Sequence, residues 1–135
     1  MNHQRGMSSL ALVLLLLVLG SLMLQGLNQQ QRALSTRVAV ETLALNEQAS
    51  IHSALQWGKM QPWQINPPLQ CRQQHAQVWQ VCLRVLRDNA LLLIATHGSM
   101  TLWQAGEISE GEVHFSLHGW SDFCPLSEVM LCHIP

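Results

Sequence analysis

Residues 2–26 read NHQRGMSSLALVLLLLVLGSLMLQG: a short polar head with one arginine, a glycine, then a nearly unbroken run of leucine and valine. No charged side chain lies between Arg5 and Arg32. As a helix rising roughly 1.5 Å per residue, Met7 to Leu27 reaches about 31 Å, which matches a hydrocarbon core of about 30 Å. A secretory signal carries a shorter apolar region, about 7 to 15 residues, before a small-x-small cleavage site. Here Gly20 and Ser21 are followed by no such pattern, and no cysteine lies near the run to carry a lipid. Residues 7–27 are therefore expected to stay as a transmembrane helix. Arg5 and the amino terminus hold the head on the cytoplasmic side and send the rest of the chain across.

The helix is not expected to stop at the membrane boundary. Between Asn28 and Gly58 there is no proline or glycine, and the composition is rich in Ala, Leu, Gln and Glu, which are good helix formers. Leu34, Val38, Leu45, Ala49 and Leu55 fall near one stripe, widened by Val40, Leu43, Ala44, Ile51 and Ala54. This spacing predicts an amphipathic continuation over 28–58 of one helix running from about Ser8 to Trp57. Gly58 and Pro62 supply the stop.

After the proline-punctuated connector GKMQPWQINPPLQC the period changes from 3.6 to 2. VWQVCLRVLR alternates, with Trp79, Val81, Leu83 and Val85 on one face. Asp88-Asn89 is a hairpin turn into ALLLIAT, an apolar run suited to a central strand. MTLWQA follows, then GEISEGE as a polar loop, then EVHFSLH with Val113, Phe115 and Leu117 inward. The expectation is α+β: a long N-terminal helix packed on a four-stranded antiparallel sheet within a β domain at 59–135. The amphipathic helix is the expected cover for the sheet's one buried face. GWSDFCPLSEVMLCHIP reads as a stapled C-terminal flap.

Composition narrows the function classes. Seven Lys+Arg against eight Asp+Glu, net charge −1 and no basic block leave no electrostatic footprint for nucleic acid. Cys71, Cys82, Cys124 and Cys132 form no CxxC, which disfavours zinc and redox motifs. Behind an export-type N-terminus they read as two disulfides in an oxidising compartment. Local pairing, Cys71 with Cys82 and Cys124 with Cys132, is favoured among three connectivities, with buried free thiols as the alternative. His114 and His118, about 13 Å apart along one strand, are too far apart to share an ion. Glu107, Glu110 and Glu112 lack the Asp/Asn-rich loop of a calcium site. No cofactor, metal or enzymatic activity is expected. Trp57, Trp79, Trp103 and Trp120 are expected in the core, with Trp63 as a partner contact.

A basic head ending in glycine, an apolar helix that becomes amphipathic, and a small sheet with cysteines near the C-terminus together resemble the type IV pilin and type II secretion pseudopilin superfamily. QRGMSSLALVLLLLVLGSLMLQ carries that resemblance. LQWGKM, DNALLLIA, GWSDFCPL and LCHIP resemble the small enterobacterial YgdB-type prepilin-peptidase-dependent proteins, grouped with minor pilins. The resemblance implies a leader at 1–6, cleavage by prepilin peptidase between Gly6 and Met7, and N-methylation of Met7. Most pilins carry a glutamate at the fifth mature position, thought to pair with a neighbour's amino terminus; here that position is Ala11. A lone carboxylate in hydrocarbon is costly, and a tip subunit has no neighbour ahead of it, so Ala11 points to a minor subunit at the tip. The implied partners are other minor pilins or pseudopilins, prepilin peptidase and inner-membrane lipid. The alternative is a bitopic inner-membrane protein whose periplasmic domain binds a partner or ligand, unconnected with filaments.

Overall fold

A computed structural model describes residues 3–135, with side chains described from Gly6 onward. Of the expected leader, Met1 and Asn2 lie outside the described residues, as do the side chains of His3, Gln4 and Arg5. The chain divides into two compact units, Met1–Leu43 and Ala44–Pro135.

One helix, α1, runs over His3–Lys59, a little further at each end than the composition suggests. In the first unit its apolar side chains face outward: exposure ranges from 49% at Leu19 to 73% at Met23, so nothing among the described residues covers them. Hydroxyls along the helix donate back to earlier carbonyls, as Thr36 does to Arg32 and Thr42 to Val38. This lets Ser and Thr sit mid-helix without competing for the ladder. At the C-terminal end the last carbonyls keep partners. Met60 N–H donates to Trp57 and Gln61 N–H to Gly58, and the Trp63 indole N–H also donates to Gly58, at 2.7 Å.

The second unit holds the end of α1 and a five-stranded antiparallel meander in the order β1 to β5. The strands are β1 (Leu69–Gln74), β2 (Trp79–Val85), β3 (Ala90–His97), β4 (Met100–Ser109) and β5 (Glu112–Ser121). The α+β class and the order helix-then-sheet hold; the count of four does not. The missed strand, LQCRQQ, lies at the end of the expected connector. It has no apolar alternation because it is an edge, placed by its ladder to β2 and a bridge between opposite cysteines. Nor is GEISEGE a loop: β4 continues through Ser109, and the turn is confined to Glu110 and Gly111, both at positive φ. Asp88 and Asn89 make the expected hairpin, at φ +57° and +61°.

β3 is buried on both faces, so the sheet has two cores rather than one. Leu91, Leu93 and Ala95 pack with Val81, Leu83, Leu102 and three helix residues, Ile51, Ala54 and Leu55. Leu92 and Ile94 point the other way, against Cys132, with Cys124, Leu126 and Ile134 packed round them. The C-terminal segment is thus the second cover. It is tied down where the Trp103 indole donates to the Cys132 carbonyl at 3.0 Å and Arg84 to the His133 carbonyl at 3.1 Å. Of the expected helix stripe, Leu34, Val38, Val40, Leu43, Ala44, Leu45 and Ala49 are exposed, and Ile51, Ala54 and Leu55 are buried.

β5 departs from simple alternation. Gln104 pairs with Trp120 and Gly106 with Phe115, so Ser116 to Gly119 stand opposite Ala105 alone. That bulge turns Leu117, expected inward, out to 90% exposure, while Val113 and Phe115 do pack on the core. Buried Gln104 holds the bulge by donating to the Ser116 carbonyl at 2.6 Å. The tryptophans are less buried than expected. Trp57 and Trp79 only flank the helix-side core, Trp103 flanks the other, and Trp120 is half exposed beside His52, rings 5.1 Å apart, while Trp63, expected as a partner contact, packs against the helix-side core.

Candidate functional site

The residues that sequence reasoning places at the head of the chain lie on one exposed stretch of α1. Gly6 has open space where a side chain would be, and its carbonyl accepts a hydrogen bond from Ser9 Oγ at 3.0 Å. Met7 is 73% exposed. The Gly6–Met7 peptide bond is accessible but helical, and glycine weakens a helix by about 1 kcal/mol relative to alanine. Exposed Ala11 adds a methyl group, and no charge, to the apolar surface that follows.

Among the described residues one helix is long and apolar enough to cross a membrane, Gly6–Lys59, and none of its most apolar stretch is buried. This is compatible with a single-pass membrane protein. Such a surface can take up lipid tails or another apolar helix. It offers no titratable group for chemistry.

In the second unit the cysteines form two bridges, Cys71 to Cys82 across β1 and β2, and Cys124 to Cys132 within the C-terminal segment. They do different jobs. Cys82 and Cys132 are buried, but Cys71 faces solvent on a strand that adds nothing to either core. Glu107 and Glu112 sit in the ladder opposite His114 and Ser109, and Glu110 sits in the turn between them. Among the described residues no three His, Cys, Asp or Glu side chains come together as a metal site.

One feature of the second unit escaped the sequence reading. The register sets Gln73, Gln80, Thr96 and Thr101 opposite one another across β1, β2, β3 and β4. They form an uncharged polar row on the face that the C-terminal segment covers only in part. A cavity of about 290 Å³ between the β1–β2 and β3–β4 turns shares Gln80 and Thr96 with one of about 350 Å³ beside Trp103, His133 and Ile134. Nothing in a single strand's sequence marks such a row, because its members are 7, 16 and 5 residues apart and meet only through pairing.

A family model described as a protein of unknown function (DUF2509) matches residues 15–132. No curated protein and no solved structure matches the chain.

Proposed function

The chain belongs to that family, and we propose from its own residues that it is a minor pilin or pseudopilin-like subunit. In this role it primes assembly of, or caps, a type IV pilus or a type II secretion pseudopilus. The observation that carries the proposal is the Gly6–Met7 junction, open and exposed, at the head of an uncovered apolar helix that runs without a break to Lys59. Prepilin peptidase cuts that junction on the cytoplasmic side, methylates Met7 and leaves the helix in place. The helix then serves as inner-membrane anchor and, after extraction, as packing surface for other minor pilins or pseudopilins. Ala11 supports a position at the tip, because it asks for no partner ahead of it. The two disulfides support a periplasmic C-terminal domain.

The test is N-terminal sequencing of protein made with and without prepilin peptidase. A mature chain beginning at Met7 only when the peptidase is present is the expected result. One that begins at Met1 in both, or after Leu27, overturns the proposal.

The uncharged row on the sheet favours a second reading, a bitopic inner-membrane protein whose periplasmic domain binds a ligand or partner. Gly6→Val separates the two. Loss of processing and of co-purification with pilin-like proteins supports the first; unchanged behaviour supports the second.

A further inference from the structure

We propose that the row Gln73, Gln80, Thr96 and Thr101 is a binding groove for an uncharged glycan strand. The groove crosses four strands, which at about 4.8 Å per strand is a span of about 14 Å. Each position carries an amide or a hydroxyl, groups that donate and accept as sugar hydroxyls do; the Thr96 hydroxyl already donates to the Gln80 carbonyl at 3.4 Å and offers its lone pairs. Gln80, Thr96 and Thr101 are half-buried and Gln73 is exposed, so the row is open to a ligand.

Three observations set the ligand class. First, no aspartate, glutamate, lysine or arginine lines either of the two adjoining cavities, whose ionisable side chains are His75 and His133. The lining is built mainly of uncharged donors and acceptors, which favours an uncharged ligand. Second, Trp103 lines the groove with its indole N–H already given to the Cys132 carbonyl at 3.0 Å, so the ring has only apolar surface left to offer. Amides and hydroxyls beside an aromatic ring suit a pyranose, whose hydroxyls ring an apolar C–H face. Third, the step between donors is the strand spacing, close to the length of one sugar ring along a chain. An extended peptide laid across the strands repeats about every 3.3 Å per residue and falls out of step.

A fourth observation marks the place independently of composition. Val78 lies at the end of the groove, 73% exposed and at φ +56°. A β-branched residue is costly in that backbone region, and strain of this kind collects at ligand sites. Glycine would relieve it, but would remove the apolar wall that Val78 gives the groove. This inference does not depend on whether Met7 becomes the amino terminus.

The test uses the full chain in lauryldimethylamine oxide micelles, a detergent without a sugar head group. Chitohexaose, cellohexaose and maltohexaose are titrated into it by calorimetry. At least one is expected to bind, and Gln80→Ala, Thr96→Val and Gln73→Ala each to weaken it about three- to tenfold. Leu117→Ser, on the β5 bulge, is expected to leave binding unchanged. Gln73→Ala changes an exposed side chain, so the test stands even if a more buried substitution upsets folding. The proposal is overturned if none of the three saccharides binds, or if folded Gln73→Ala, Gln80→Ala and Thr96→Val chains bind as the parent does. Binding of a neutral threonine octapeptide in their place also overturns it.

Discussion

Val78 and Gly106 show how much a single backbone position decides in this chain. Val78 closes the turn between β1 and β2, its N–H reaching the His75 carbonyl at 3.4 Å, in a conformation that suits glycine. Val78→Gly is expected to raise stability by about 1 kcal/mol, read as a higher denaturant midpoint at unchanged slope. Gly106 is the opposite case. A Cβ there would stand 2.5 Å from the His114 carbonyl oxygen and 2.6 Å from Leu91 Cδ1. Backbone cannot give way as a side chain tip can, so Gly106→Ala is expected to cost about 1 to 3 kcal/mol in the same measurement. Gln104 sits between these extremes. It secures the β5 bulge through its amide N–H, while its Oε1 stays buried without a partner among the described residues.

At the level of elements, β1 is the weakly held piece. Its ladder to β2, the bridge to Cys82, the pairing of the Gln70 side chain with the Gln64 backbone, and Arg72, which lies over Trp63 and donates to the Pro62 carbonyl at 3.0 Å, hold it. Converting Cys71 and Cys82 to serine is expected to cost about 3 kcal/mol on the chain-entropy account. Hydrogen exchange should show Leu69–Gln74 losing protection well before β3. The same physics explains what the sequence made legible. β3 announces itself as ALLLIAT because both its faces are buried. The helix announces itself by thirty residues without proline or glycine between Asn28 and Gly58. β1 is silent because an edge strand outside both cores needs no apolar pattern. Leu117 misleads because the alternation in EVHFSLH is real, but the bulge after Phe115 breaks the register that would have turned it inward. At the candidate site, Gly6, Met7 and Ala11 could be read from a local motif, whereas Gln73, Gln80, Thr96 and Thr101 become neighbours only through strand pairing.

In the molecule as a whole, every buried core residue among the described residues lies at Ile51 or beyond. Residues 44–135 alone are therefore expected to fold with a cooperative thermal transition in detergent-free buffer, while the full chain is expected to need lipid or detergent. Leu93→Ala in that shorter chain is expected to cost about 2 to 5 kcal/mol, since Leu93 is fully buried in the helix-side core. Loss of cooperativity without residues 3–43 would show that the domain draws on the first unit after all. The meander also bears on how the domain is made. Each strand pairs with the one before it, and each bridge joins cysteines 11 or 8 positions apart, consecutive along the chain. An oxidant that couples thiols in their order of arrival therefore produces the native pairs at the first attempt. Maturation of this domain calls for an oxidase and leaves an isomerase with nothing to correct.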